Sequence, residues 1–171
     1  MFPANFYMYF VTALIPLLVG AVYYNPKVLG TAWMKVNNFK EEDLQGANML
    51  VIFGASFIFG VLISLTMGGI TIHQGGMMQA MMPEVMEPGS EAMKEATAWM
   101  AKYGDNHRSF GHGALHGAFF TIFLVWPLMA INAMFERRGW KYILIHVGYW
   151  LISLSLMGGI LCKTLVWNPL S

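Results

Sequence analysis

A chain of 171 residues that is 57% hydrophobic and only 11% charged is not an ordinary water-soluble domain and falls in the membrane class. Its net charge of +1, with no run of basic residues, excludes a nucleic-acid surface. The single cysteine, Cys162, excludes an internal disulfide and a thiolate metal cluster, and inside an apolar run it reads as a small packing residue.

Four segments are long enough to cross the hydrocarbon layer, which takes about 20 apolar residues. The first runs from Phe6 to Tyr24, FYMYFVTALIPLLVGAVYY, and carries no charge. It lacks a basic leader and ends in YYNP rather than a small-x-small cleavage site, so it is expected to be retained. Pro16 is a candidate kink within it, and Asn25–Pro26 is expected to stop it cleanly. The second span runs from Ala47 to Ile72.

A long connection follows, from His73 to Ser109. Its first half, HQGGMMQAMMPEVMEPG, reads as flexible and methionine-rich. Ser90 then makes an N-cap for an amphipathic helix over 90–103. Ala92, Met93, Ala96, Trp99, Met100 and Tyr103 share one face of it, which is expected to lie along the membrane surface.

The third span runs from Phe110 to Met134, with Pro127 as a second candidate kink, and the fourth from Trp140 to Leu161, between Lys141 and Lys163. No acidic or basic residue lies deep in any span, where each would cost about 2.5–3.5 kcal/mol. The first and third connections carry Lys27, Lys35, Lys40, Arg137, Arg138 and Lys141, against Lys94, Lys102, Arg108 and Lys163 on the other side. This bias puts both termini and the middle connection outside. Arg137 and Arg138 read as positive-inside anchors, with anionic headgroup binding as the alternative.

The words LISLTMGGI at Leu62 to Ile70 and LISLSLMGGI at Leu151 to Ile160 echo each other, as do GTAWMK at Gly30 and GWK at Gly139. They suggest two related helical hairpins of parallel orientation. Gly68, Gly69, Gly158 and Gly159 would then permit close helix approach.

Two further stretches carry a resemblance. One is YYNPKVLGTAWMK, with Tyr24, Pro26, Gly30 and Trp33; the other is NAMFERRGWKYILIHVGYWLISLSLMGGI, with Asn132, Phe135, Glu136, Trp140, Gly148, Tyr149, Met157 and Gly158. Together they resemble a bacterial membrane family known as domain of unknown function 1761. The resemblance implies a small integral membrane protein of about four helices and brings no activity or ligand.

Of the five histidines, His112 and His116 lie four apart and share a helix face. This spacing suits two ligands of one metal, although no glutamate stands between them. It cannot supply both axial ligands of a haem. At 1.5 Å of rise per residue, His73 should sit at the depth of His112, with His116 one turn deeper, His107 nearby and His146 at the opposite face. Met77, Met78, Met81 and Met82 lie close in sequence as possible soft ligands, a combination that suits copper. Against this stands a packing account, in which Gly113 and Gly117 form a small-xxx-small seam and the histidines bond across it.

The sequence expectation is therefore an all-α integral membrane protein with four transmembrane helices in two related hairpins and an interfacial helix in the central loop. It is a single membrane domain over 1–171. For function, a non-enzymatic scaffold or accessory subunit acting through helix contacts comes first, with a homo-oligomer or another membrane protein as partner and no cofactor. The alternatives are a copper- or zinc-handling protein built on His73, His112 and His116, and a small transporter or channel. The expected location is the bacterial inner membrane, with the termini outside.

Overall fold

A computed structural model of the chain describes residues 3–166, which form helices and turns with no strand among them. The elements in chain order are α1 (Met8–Thr12), α2 (Ile15–Tyr23), α3 (Thr31–Asn37), α4 (Met49–Thr71), α5 (His73–Ala80), α6 (Glu91–Tyr103), α7 (Phe110–Phe120), α8 (Trp126–Phe135) and α9 (Trp140–Thr164). Three continuous helical stretches, Met49–Thr71, Phe110–Phe135 and Trp140–Thr164, are long and apolar enough to cross a membrane. A fourth candidate is a pair, Met8–Tyr23 with Pro26–Asn37, bent by 59°.

The first span is thus broken twice, where the sequence suggested one helix ending at Asn25–Pro26. Pro16 has no N–H to offer the Thr12 carbonyl, so the ladder parts between α1 and α2. Helix α4 closes on that break. A Cβ on Gly60 would lie only 2.6 Å from the Ala13 carbonyl oxygen. The buried Thr12 and Ser64 hydroxyls bond beside it at 2.6 Å. At the second break, Asn25 accepts from the Lys27 N–H at 3.0 Å and caps a π turn over Pro26–Gly30. Helix resumes directly as α3, so this turn bends the chain without ending it.

Pro127 acts through the same deficit in the third span. The turn ahead of it widens to a π-helix over Thr121–Val125, with Trp126 N–H bonding the Thr121 carbonyl five residues back. The span stays continuous into α8, and Arg137, with φ of 56°, forms the tight return to α9.

Helix α9 is the axis of the fold, and its most extensive contact is with α7. Gly113 and Gly117 allow this approach, since added Cβ atoms would lie 2.1 Å from the Gly158 oxygen and 2.2 Å from the Leu154 oxygen. Among the other glycines expected at helix contacts, Gly68 meets the Tyr9 ring and Gly159 the Phe110 ring, whereas Gly69 faces open space. The echoed words supply equivalent buried positions, for Ser64 and Ser153, and Met67 and Met157, are all fully buried. The main core gathers Tyr9, Ile15, Met67, Ile72, Leu154, Met157, Leu161 and Leu165.

The connection after α4 departs from the expected flexible loop. The backbone turns at Ile72 (φ −112°, ψ 95°) and re-enters helix as α5. Met78 buries itself with Val85 and Ala96, and Met77, Met81 and Ala92 pack against them. That small core joins α5 to α6. Ser90 caps α6, accepting from Met93 N–H at 3.0 Å and donating to the Glu84 carbonyl at 2.8 Å.

Candidate metal centre

His73, His112 and His116 meet at the end of the bundle where α4, α5 and α7 come together. Each arrives for a local reason. His112 and His116 lie one turn apart on α7, which starts at Ser109, whose hydroxyl accepts from the His112 N–H at 3.2 Å. Gly113 and Gly117 turn the adjacent face toward α9, which leaves the histidine face free to look toward α5. His73 opens α5, just after the Ile72 break, and Ile72 is anchored in the core.

The His112 Nε2 atom lies 3.0 Å from His73 Nε2 and 3.1 Å from His116 Nε2. One ligand nitrogen from each of the three lies within 4.8 Å of the others. The rings stand edge to face, with centroids 5.1 Å (His73–His112), 5.0 Å (His73–His116) and 4.6 Å (His112–His116) apart.

Hydrogen bonding alone accounts poorly for this convergence. A neutral imidazole nitrogen carries either one proton or one in-plane lone pair. His112 Nε2 therefore cannot form two well-aligned bonds to two neighbouring nitrogens at once. A metal ion accepts lone pairs from all three together. With bonds of about 2.0–2.1 Å, a tetrahedral zinc spaces its nitrogens about 3.4 Å apart, so the two pairs on His112 need open by only a few tenths of an ångström to flank an ion. Among the described residues these Nε2 atoms pair with one another rather than with a carbonyl oxygen, His73 with His112 across α5 and α7 and His112 with His116 along α7.

His107 stands beside the trio, its ring centroid 5.0 Å from His112 and 6.3 Å from His73. A cavity of about 250 Å³, lined by His73, Gln74, Trp99, Tyr103, Asn106 and His107, opens next to it. The methionines near the site have other work. Met77, Met78 and Met81 belong to the α5–α6 core, and the donors that converge are imidazoles. His146 is elsewhere, bonding the Tyr24 hydroxyl at 3.3 Å and packing on Tyr142, as its position at the other face required.

One supporting residue, Gln74, was not singled out from sequence. Gln74 is buried and donates to the Gly104 carbonyl at 2.8 Å and the Asn106 carbonyl at 3.0 Å, tying the start of α5 to the turn before α7. A lone amide beside His73 at the end of an apolar run was the available signal. Cys162, expected as a small packing residue, is fully buried, and its Sγ lies 3.3 Å from the His107 carbonyl and 3.5 Å from that of Thr71, so its one proton is shared between the two sides of the site. Arg108 bonds the Leu165 carbonyl, which fixes its guanidinium toward the end of α9. Burial pushes its pKa below the ordinary arginine value.

A family model described as "Protein of unknown function (DUF1761)" matches residues 7–162. No curated protein and no solved structure matches the chain.

Proposed function

The chain belongs to this DUF1761 family, and from that premise we propose an integral membrane protein that holds one transition-metal ion, zinc or copper(II), through His73, His112 and His116. The observation that carries this reading is the double approach on His112 Nε2, at 3.0 and 3.1 Å, which one ion resolves and two hydrogen bonds do not. Imidazole donors are borderline in softness and suit zinc and copper. The placement of Met77, Met78 and Met81 in the α5–α6 core favours this all-imidazole set over a thioether site for copper(I).

The scaffold reading loses part of its support. Gly113, Gly117 and Gly158 make close contacts within the chain, so they serve internal packing rather than the docking of a partner. A transporter without intramembrane carboxylates has no relay to offer. The protein handles metal and is not an enzyme. Its bent first helix counts as one span and gives four in all. The two echoed halves are related hairpins, and α6 lies along the outer face of a bacterial inner membrane with both termini on that side. Exposed apolar residues on the spans, Leu50, Phe123 and Phe135 among them, support contact with lipid.

Elemental analysis of the detergent-purified protein tests the proposal. About one zinc or copper per chain is expected, lost in the His112→Ala, His116→Ala double variant. Protein that stays free of metal after incubation with excess ion overturns it.

A further inference from the structure

We infer that His107 is the ion's fourth protein ligand, so that the completed centre is a closed four-imidazole site with no position left for substrate. This rests on the three-histidine reading above and deepens it.

Three observations converge on His107. Its exposed ring already adjoins two members of the trio, at 5.0 Å from His112 and 6.3 Å from His73 between centroids; its nitrogens stand outside the three-histidine cluster, so the ring must turn inward to ligate. Its backbone is left-handed, with φ of 62°, a region that Asn38 and Arg137 also occupy in this chain and that histidine enters more readily than most residues. That conformation is clamped from outside the turn. Gln74 donates to the carbonyls of Gly104 and Asn106, and Cys162 donates to that of His107 itself. Strain that is over-determined by its surroundings clusters where a side chain must be aimed. Here the clamp comes from the residue next to His73 and from α9, against which the glycine face of α7 is packed, so one set of bonds holds the turn of His107 in register with the other three histidines.

The adjoining cation does not compete for this space. Arg108 is directed to the Leu165 carbonyl. The aromatic wall of the cavity, Trp99 and Tyr103, offers no alternative nitrogen or carboxylate ligand. A zinc site with four protein ligands is structural in type, whereas catalytic sites keep one position for water or substrate. A closed centre therefore fits a protein that holds or stores metal.

The test uses the full chain in detergent with cobalt(II) as a spectroscopic probe and azide as a small anion that seeks an open coordination position. The wild-type protein is expected to bind one cobalt whose visible spectrum azide leaves unchanged. His107→Asn keeps a residue that tolerates the left-handed backbone, and His107→Gly removes both ring and strain. Both are expected to bind cobalt on the order of 10–100-fold more weakly and to change spectrum when azide is added. A wild-type spectrum that responds to azide, or variants that bind cobalt as tightly as wild type, overturns the fourth ligand. If cobalt binding is then still abolished in the His112→Ala, His116→Ala variant, the three-histidine site stands without it. A wild-type protein that binds no cobalt overturns both.

Discussion

Replacing Gly113 with Ala joins helix packing to the histidine centre in a single measurement. A Cβ at this position lands 2.1 Å from the Gly158 carbonyl oxygen and 2.4 Å from Cys162 Cβ. Neither obstacle is the far end of a flexible side chain, so α7 itself must retreat from α9. Opening the oxygen contact from 2.1 Å to even 3.0 Å moves the helices apart by about 0.9 Å. Overpacking a tight contact costs about 1–3 kcal/mol. For a chain of this size that lowers the melting temperature by roughly 2–12 °C. The same retreat carries the neighbouring His112 and His116 away from their register with His73. Metal bonds tolerate only about 0.2 Å, so bound metal falls with stability. The matched control is Gly111→Ala, two residues earlier on the same helix, where nothing lies within 4 Å of the added Cβ. There alanine gains up to about 1 kcal/mol in helix preference. One substitution type therefore has opposite signs at two nearby sites. Thermal unfolding in detergent, read by tryptophan fluorescence, and the metal content of each variant provide the assay. Equal melting temperatures for the two variants, or full metal in Gly113→Ala, refute the reasoning.

Three further outcomes follow from the same geometry. Protons compete with the ion for imidazole nitrogen, so bound metal is retained at neutral and higher pH and lost on acidification, at a pH that drops as free ion is added; dialysis at graded pH with metal analysis checks this, and release that does not depend on pH argues against imidazole ligands. Thr12→Val and Ser64→Ala, which remove the two ends of the 2.6 Å hydroxyl contact between α1 and α4, should couple by about 0.6–1.7 kcal/mol in a double-mutant cycle; strict additivity would count against that bond. Ser90→Ala removes the cap of α6 and should cost about 1 kcal/mol locally, seen as faster amide exchange in the first turn of α6 with the spans unchanged.

The helices themselves were legible in the sequence because apolar length is a local property. The second, third and fourth spans begin and end within about three residues of where runs of uncharged side chains placed them. Ser90 announced α6 for the same reason, since a capping hydroxyl acts within one turn of its own position. The spacing of His112 and His116 fixed a shared helix face without reference to anything outside α7.

Tertiary structure decided the rest. The first span broke and bent because Pro16 and Asn25–Pro26 lost ladder bonds where α4 and α9 supply compensating contacts, as Gly60 against Ala13 illustrates. The methionine-rich stretch became helical once Val85 and Ala96 gave Met78 a surface to bury. Rise per residue placed His73 at the depth of His112 with His116 one turn deeper, but depth alone does not bring the three rings together. That meeting requires the turn at Ile72, the close glycine contact of α7 with α9, and the clamps from Gln74 and Cys162, spread over some ninety residues of chain. Apolar runs and caps are set by neighbours in sequence, whereas the convergence of three nitrogens is set by helix packing. For this protein the sequence by itself determined which segments are helical, which histidines share a face and which lie at one depth, and the packing of α7 against α9 with the turn at Ile72 decided that the three rings meet.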